Sequence, residues 1–342
     1  MMENYPTYPH GRIQTVQSLC AALGEPEPKI RAIAARAHNL YIGPKPKPKK
    51  NGGTRYVFDT KSPLKPLLKK INYCLFRKVI FPKYLTGSIS RRDFIANVEI
   101  HSHSKHVVTE DIASFFDCIT THHVYRVWRE FFGFGREVAE LLTLLTTKDG
   151  KVFQGTPTSS YLANLVFWDK EHLVVAKLAE RGIRYSRYVD DITLSTVGSL
   201  TAEDRRWAIG QVYAMIGSSG FKPQRGKHAS LSASKPILIM GVHANQKPTF
   251  PKQERAAIRA QVYQLEKSVK GNEFGDLFER RLQSAAAKVG KLKRLHPTEA
   301  AALKLRLNTV RRKFGEHTAQ PSPQSQPTTT VAEAQFDNDP PF

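Results

Sequence analysis

The sequence predicts an α+β fold in which a small antiparallel sheet is combined with many helices and followed by a basic helical region. Two short segments rich in strand-forming residues, Arg184–Tyr188 and Ile192–Thr196, enclose the adjacent carboxylates Asp190 and Asp191. Most other apolar residues recur at helix spacing. The 342-residue chain has a net charge of +22, which favours a polyanionic partner, nucleic acid before an anionic membrane surface.

The N-terminal part, residues 1–105, is expected to form helices and an extended basic hairpin. Residues 12–42 and 64–81 carry apolar side chains at helix spacing. Between them, residues 43–58 alternate Pro with Lys, and Asn51-Gly52-Gly53 is a turn signal. The hairpin therefore presents several cations.

The central part, residues 106–250, contains the predicted sheet. Its first strand runs from Val107 to Asp111. Helices are predicted over 124–147, 158–181 and 205–217, and a buried strand over Pro236–Val242.

The C-terminal part divides into a basic helical region, 251–316, and a tail, 317–342. Three helices are predicted between 253 and 314, the first with one apolar stripe formed by Ile258, Val262, Leu265 and Val269. The tail contains three acidic residues and no Lys or Arg, so the rest of the chain carries +25. Because its Pro/Gln/Ser/Thr-rich composition cannot form a core, it is expected to be disordered.

The composition argues against several classes of protein. No apolar run approaches the 18 residues typical of a transmembrane helix, and the first residues lack a secretory signal. Three widely spaced cysteines argue against a disulfide framework or a structural zinc site. The histidines between 101 and 123 leave a zinc site open, although structural zinc sites usually include thiolates. We expect a cytoplasmic protein without a membrane partner.

Asp190 and Asp191 are the residues that most need an explanation. Taken alone, the pair is explained more simply by a solvated turn. Their strand-forming neighbours, however, predict a partly buried element, where two like charges need compensation. A third carboxylate, Asp111, ends another strand. Three carboxylates on adjoining strands can hold two Mg²⁺ ions, which activate a hydroxyl and stabilise a leaving oxygen in an in-line displacement.

These segments resemble the motifs of reverse transcriptases. Tyr188–Asp191 (YVDD) is similar to the Y-x-D-D box, and Asp111–Asp117 (DIASFFD) resembles the first catalytic motif. Gln154–Ser159 (QGTPTS) and Leu162–Asn164 (LAN) resemble the Q-G-x-P-x-S-P-x-L-A-N motif, with Ser160 in place of its second Pro. The resemblance implies a right-hand polymerase: N-terminal helices and fingers in 1–105, a palm with an antiparallel sheet and interleaved fingers segments in 106–250, and a helical thumb in 251–316.

Within that family, the chain is most similar to the bacterial retron enzymes. Asn97-Val98-Glu99-Ile100-His101 resembles the retron N-A-x-x-H element, with Val in place of Ala. The compact length also fits retrons better than group II introns. Ile239-Met240-Gly241 stands where retrons usually carry V-T-G.

The resemblance also implies the roles of individual residues. Asp111, Asp190 and Asp191 are expected to be catalytic and, together with Ile112, to bind two Mg²⁺ ions, with Mn²⁺ as a substitute. Phe116 would select dNTPs, because a ring beside the sugar clashes with a 2′-OH; an ordinary core Phe is the alternative. The other residues expected to bind the nucleotide are Lys50, Arg55, Phe115, Gln154 and Lys227. Lys45, Lys47 and Lys49 are alternatives to Lys50, and Lys227 either donates a proton to pyrophosphate or only contacts phosphate.

A second set of residues is expected to bind RNA by contacting its phosphate backbone, without sequence preference. It consists of Asn97, His101, Lys288, Lys291, Lys293, Arg294, Arg311 and Arg312. A structural role is the alternative for His101, and a solvated helix face is the alternative for the thumb cations.

The last residues, QFDNDPPF, resemble the C-terminal tip of bacterial single-stranded-DNA-binding proteins. Asp337, Asp339, Pro341 and Phe342 are therefore expected to bind host enzymes that recognise such tips, with Phe342 in an apolar pocket and the carboxylates on a basic rim. The alternative is that the tail lies on the protein's own basic thumb.

The sequence thus predicts a retron-type reverse transcriptase. It would copy a structured non-coding RNA from dNTPs into RNA-linked single-stranded DNA, in defence against phage and with an effector protein as a further partner. The alternatives are another bacterial reverse transcriptase, group II intron-like or diversity-generating, and a non-catalytic RNA-binding scaffold on a polymerase fold.

Overall fold

The computed structural model describes residues 5–48 and 52–319. Some residues with predicted roles lie outside these described residues, namely Lys50, Asp337, Asp339, Pro341 and Phe342. The chain divides into two compact units, residues 1–249 and the residues from 250 onward. We describe each unit by itself.

Within the described ranges the chain forms thirteen α-helices and eight strands. The helices are α1 (Val16–Leu23), α2 (Glu27–Ala35), α3 (Leu64–Cys74), α4 (Phe94–Ile100), α5 (Phe115–Cys118), α6 (Thr121–Arg126), α7 (Arg136–Thr146), α8 (Ser159–Leu165), α9 (Glu171–Glu180), α10 (Ala202–Ser218), α11 (Lys252–Lys270), α12 (Phe278–Leu292) and α13 (Pro297–Ala319). The strands are β1 (Tyr41–Pro48), β2 (Thr54–Thr60), β3 (His106–Asp111), β4 (Arg184–Tyr188), β5 (Asp191–Thr196), β6 (Ala229–Ser232), β7 (Leu238–Ile239) and β8 (Val242–His243).

The central sheet of the first unit is antiparallel, with the strand order β4-β5-β3-β6. β4 and β5 form the hairpin predicted around the two aspartates. Val108 of β3 and Ile192 and Leu194 of β5 are buried in the core on one side of the sheet. This sheet places the ends of β3 and β5 side by side.

The core of the first unit lies largely between its helices. Leu19 of α1, Leu64 and Leu68 of α3, and Leu142 of α7 have no solvent exposure. Burial of such side chains, at about 25 cal/mol per Å² of apolar surface, stabilises the helical layer around the sheet.

The helix predicted over 158–181 is wrong as a single element. α8 ends at Leu165, and α9 begins at Glu171 after a run of turns. The carbonyl groups of Ala163 and Asn164 at the end of α8 accept hydrogen bonds from Arg187 of β4. The interruption lets the buried side chain of Glu171 face the same arginine.

The strand predicted over Pro236–Val242 is also wrong as one element. The chain reverses at Met240 and Gly241, whose φ values are 51° and 81°. Left-handed conformations at both central residues are typical of a tight hairpin turn, so β7 and β8 pair with each other.

Two other helical patterns, 12–42 and 124–147, are each divided into shorter helices. Within 12–42, Gly24 ends α1 in a left-handed conformation and Pro26 precedes α2. Within 124–147, a π-helical segment, Val127–Phe131, separates α6 from α7. Apolar periodicity continues across such interruptions, so it predicts the buried face better than the ends of a helix.

The second unit consists of α11, α12 and α13 in its described part. Ile258, Val262 and Leu265 of the predicted stripe are buried, and Val269 is half-buried. α13 continues to Ala319, into the segment predicted to be tail. No helix in either described range is both long and apolar enough to span a membrane.

Candidate active site

Three carboxylates meet at one end of the central sheet. Asp111 is the last residue of β3 and lies directly opposite Asp191, the first residue of β5. Directly opposed residues of antiparallel strands have Cα atoms about 4.5 to 5.5 Å apart. Asp190 precedes Asp191, and its carbonyl group accepts a 3.1 Å hydrogen bond from the N–H group of Ile112. The structure therefore brings together the three aspartates that the sequence singled out.

The electrostatics of this site are those of crowded negative charge. Burial, followed by the charge of Asp111, raises the pKa of Asp190. The pKa of Asp191 is raised to about 7 by desolvation, then by the charges of Asp190 and Asp111. The Lys227 ammonium donates a 2.6 Å hydrogen bond to Asp111 Oδ2, and this bond raises the pKa of Lys227. One lysine against three carboxylates leaves excess negative charge.

The donor set fits a hard divalent cation, but the present arrangement is not a closed metal site. Across the described residues, no three side chains of His, Cys, Asp or Glu are grouped so that they could hold a metal ion. Carboxylate oxygens are the ligands that Mg²⁺ prefers, and desolvation together with the charges of Asp190 and Asp111 raises the pKa of Asp191, which a bound cation would oppose. Lys227 contacts an oxygen of Asp111 that a cation would share. Ile112, predicted as part of the metal site, has a buried side chain, so only its backbone is available.

Comparison with known proteins identifies the family. No protein-family model matches the chain. The retron Se72 reverse transcriptase of Salmonella heidelberg is 31% identical over 90% of this chain and 82% of its own length. The retron Ec48 reverse transcriptase of Escherichia coli is 30% identical over 74% of this chain and 65% of its own length. The retron Mx65 reverse transcriptase of Myxococcus xanthus is 27% identical over 65% of this chain and 55% of its own length.

The chain belongs to the retron reverse transcriptases. It is accordingly an RNA-directed DNA polymerase. Among solved structures, it is similar to telomerase from Candida albicans in complex with a fragment of telomeric RNA, at 11% identity and a TM-score of 0.43, over 80% of this chain and 58% of that one. It is also similar to apo telomerase from Candida tropicalis, at 10% identity and a TM-score of 0.44, over 86% of this chain and 64% of that one.

The two phenylalanines of the first motif of this retron reverse transcriptase have different surroundings. Phe116 is half-buried on the short helix α5, close in sequence to Asp111. Phe115 is buried, with its ring 6.0 Å from Phe167 and 5.4 Å from Phe221 between centroids. Nucleotide binding by the Phe115 side chain is therefore a wrong prediction, because the ring fills the core.

Gln154 and Arg55 lie on neighbouring segments. The Gln154 carbonyl group accepts a 2.8 Å hydrogen bond from the N–H group of Phe58, in the same strand as Arg55. The next residue, Gly155, has a φ of 105°, and a Cβ atom there would lie 2.4 Å from the Phe58 carbonyl oxygen. Only glycine fits this close approach. Arg55 is exposed on β2, and the side chain of Gln154 is half-exposed.

The prediction that the side chains of Asn97 and His101 bind RNA is wrong for this structure. Both side chains are buried. His101 forms 2.7 Å hydrogen bonds with Ser186 of β4 and Ser195 of β5, and Asn97 accepts one of 2.7 Å from Thr86. The N-x-x-x-H element of this retron enzyme therefore supports the hairpin that carries the aspartates.

The thumb cations differ in their surroundings. Five are exposed, namely Lys288, Lys293, Arg294, Arg311 and Arg312. Lys291 is half-buried, forms a 3.1 Å ion pair with Glu254 and lies 4.9 Å from the centre of the Phe250 ring. Its ammonium group is thus engaged within the second unit.

The sequence analysis missed a buried group behind the aspartates. Arg187, Glu171 and Tyr185 are buried, and both Arg187 and Tyr185 donate hydrogen bonds to the Glu171 carboxylate. A signal was present, because Arg187 lies in a strand predicted to be buried, and a buried charge requires a partner. The partner could not be found from the sequence, since the helix containing Glu171 was predicted to be continuous with α8.

Proposed function

We propose that this retron reverse transcriptase copies a structured non-coding RNA into single-stranded DNA at Asp111, Asp190 and Asp191, with divalent cations as cofactors. The observation that carries the proposal is the register that places Asp111 opposite Asp191 at the end of the sheet. Such a set of carboxylates suits Mg²⁺ or Mn²⁺ bound together with substrate phosphates. The product would be RNA-linked DNA that begins at an internal guanosine 2′-OH.

The proposed reaction is an in-line substitution at the α-phosphorus of a dNTP. A bond forms from the attacking hydroxyl oxygen to phosphorus, the bond to pyrophosphate breaks, and the hydroxyl proton passes to solvent water. Bound cations would activate the hydroxyl and offset charge on the leaving oxygen. Lys227, whose ammonium group is hydrogen-bonded to Asp111, would donate a proton or a hydrogen bond to pyrophosphate. Phe116 would exclude a 2′-OH.

Primer extension tests the chemistry. The wild type should extend oligo(dT) on poly(rA) in Mg²⁺ or Mn²⁺, and Asp190→Asn should abolish extension. Asp117→Asn is a matched control, because Asp117 belongs to the same motif but is exposed. If the wild type does not extend the primer in either Mg²⁺ or Mn²⁺, the result would favour a non-catalytic RNA-binding scaffold.

The nucleic acid that co-purifies with the protein tests the retron interpretation. A branched RNA–DNA species, present with the wild type and absent with Asp190→Asn, supports the proposal. Linear products alone would favour another class of reverse transcriptase.

The proposed role in phage defence has its own measurement. The wild type, expressed with its RNA and a neighbouring effector protein, should lower phage plaque counts, and Asp190→Asn should not. Equal protection by both proteins would contradict a role for DNA synthesis in defence.

The tail would recruit host enzymes that recognise single-stranded-DNA-binding proteins. This rests on its terminal sequence, in which Asp337 and Asp339 precede Pro341 and Phe342. Deletion of Phe342 should abolish capture of a host exonuclease or helicase, whereas Phe336→Ala, an aromatic change away from the terminus, should not. Unchanged capture after the deletion would exclude the tip as the binding element.

A further inference from the structure

Arg187 is a fully buried cation two residues before Val189, at the start of the catalytic turn. Its guanidinium group donates five hydrogen bonds, which equals the number of its N–H groups. The acceptors are both carboxylate oxygens of Glu171 (2.6 and 2.8 Å) and the carbonyl oxygens of Ala163 (3.2 Å), Asn164 (2.9 Å) and Val189 (3.0 Å). One side chain thus connects α8, α9 and the turn that bears Asp190.

The bond to Val189 reaches a strained part of the backbone. Val189 has a φ of 64°, which is rare for a β-branched residue and persists only where the surroundings hold it. Its carbonyl group immediately precedes Asp190, so its orientation sets the direction of the peptide leading into the two aspartates. The guanidinium group holds that carbonyl from behind the site.

The segment before α4 supports the turn from a second direction. The N–H group of Arg187 donates to the Tyr84 carbonyl (2.9 Å), and the Arg187 carbonyl accepts from Thr86 (3.0 Å). A Cβ atom on Gly87 would lie 2.7 Å from both the N and Cγ2 atoms of Val189. The turn therefore packs directly on the backbone of Gly87.

Packing alone does not explain a buried ion pair at this position. Replacement of a buried pair by apolar residues is often neutral or stabilising, and Phe167 already lies beside the guanidinium group, 5.2 Å from its ring centre. What apolar side chains could not supply is the set of N–H donors to the three carbonyl groups. This distinguishes alignment of the turn from simple filling of the core.

We propose that Arg187 is a positioning residue that, oriented by Glu171, fixes the Val189 carbonyl and thereby places Asp190 and Asp191. The inference rests on the proposed catalytic role of those aspartates. Loss of Arg187 would impair alignment of the reacting groups rather than binding of the nucleotide. A misplacement of about 1 Å costs on the order of 100-fold in rate.

Three variants test this inference. Arg187→Lys keeps the charge beside Glu171 but lacks the planar set of five donors. Arg187→Met with Glu171→Leu removes the whole pair and leaves no buried charge. Tyr185→Phe is the matched control, because the Tyr185 hydroxyl donates to the same Glu171 (2.7 Å) and has no hydrogen bond to the turn. For each variant we would measure thermal unfolding, with and without Mn²⁺, to obtain the melting temperature and its rise on addition of the metal. Single-nucleotide incorporation gives kcat and the KM for dNTP.

The expected result is a fall in kcat of about 10- to 100-fold for both Arg187 variants, with KM within about twofold of the wild type and a smaller stabilisation by Mn²⁺. Tyr185→Phe should keep kcat close to the wild type. A folded Arg187→Lys protein with wild-type kcat, or with only KM changed, would overturn the inference. If the double variant does not fold, Arg187→Lys decides alone. Asp190→Asn serves as the inactive blank in these assays. A wild type with no more activity than this blank would instead refute the proposed function.

Discussion

Lys227 shows how much one contact can change the interpretation of a residue. Its side chain is 59% exposed, yet its ammonium group lies 2.6 Å from a carboxylate that is 6% exposed. Many lysines on a basic surface contact only phosphate, and the sequence left open whether Lys227 is one of them or donates a proton. The ion pair with Asp111 puts this lysine beside the carboxylates that we propose to be catalytic.

Replacement of Lys227 tests its part in the reaction. Lys227→Met should lower kcat by about 100-fold, because a positioned proton donor contributes at least that much. Single-nucleotide incorporation at saturating dNTP measures the effect. Lys222→Met is the control, since Lys222 is exposed on the same loop and only its backbone carbonyl group is bonded to the first motif. An increase in KM with unchanged kcat would leave Lys227 a phosphate contact.

The adjacent phenylalanines allow a matched test of sugar selection. Phe116→Ala should reduce discrimination between dNTP and NTP by about 10-fold or more, because the ring that excludes the 2′-OH is lost. Phe115→Ala should instead lower the free energy of unfolding by about 3 to 5 kcal/mol, with discrimination retained. Incorporation assays with each sugar and denaturant unfolding give the two readouts. Relaxed selection in the Phe115 variant alone would contradict the assignment.

At the scale of elements, the hairpin of β4 and β5 is held by structures distant in sequence. His101, which follows α4, bridges β4 and β5 through Ser186 and Ser195. Burial, followed by the nearby charge of Arg184, lowers the pKa of His101 to about 3. The ring is therefore neutral in the fold, with one nitrogen donating and the other accepting.

This burial predicts an acid sensitivity of the fold. Between about pH 6.5 and 3 the unfolded chain binds a proton at His101 that the folded protein does not, so stability falls as the pH is lowered through this range, by up to about 1.4 kcal/mol per pH unit. Denaturant unfolding at pH 7, 6 and 5 should show a smaller loss for His101→Gln than for the wild type. His103→Asn should behave as the wild type, because His103 is exposed and Asn tolerates its φ of 60°. Equal slopes for all three proteins would contradict the prediction.

At the scale of the whole molecule, the charge of +22 is divided between engaged and exposed cations. In the second unit, Arg306 forms two hydrogen bonds of 2.7 and 2.6 Å with Glu266, whereas Lys293 and Arg311 are exposed. Exposed cations bind nucleic-acid phosphates and release counterions. The net charge alone could not separate the two kinds.

The salt dependence of nucleic-acid affinity distinguishes the exposed cations from the engaged ones. Lys293→Gln with Arg311→Gln should reduce the slope of log affinity against log salt by about 0.9 for each phosphate that the variant no longer neutralises, measured with an RNA–DNA duplex. Arg306→Gln should leave the slope unchanged and lower the melting temperature, because it leaves Glu266 unpaired. A slope that responds only to Arg306→Gln would contradict this assignment of the binding surface.

Local patterns predicted a large part of the fold and of the site. The hairpin of β4 and β5, the strand ending at Asp111 and the three helices of the second unit follow from short-range periodicity. The motif order identified the carboxylates before their geometry was known. The interrupted helix of α8 and α9 could not be predicted, because its cause is a contact with Arg187 from another element.

By itself, the sequence determined the family, the three acidic residues and the distribution of charge along the chain, since each is a property of residues close together or of a motif. Only the tertiary structure decided that Phe115 and His101 face the core, that Lys227 lies on Asp111, 116 residues away, and that Arg187 donates a hydrogen bond to the Val189 carbonyl group next to Asp190. The physical reason is that burial and pairing of charged groups depend on which distant segments pack together, and periodicity within one segment carries no record of its partner.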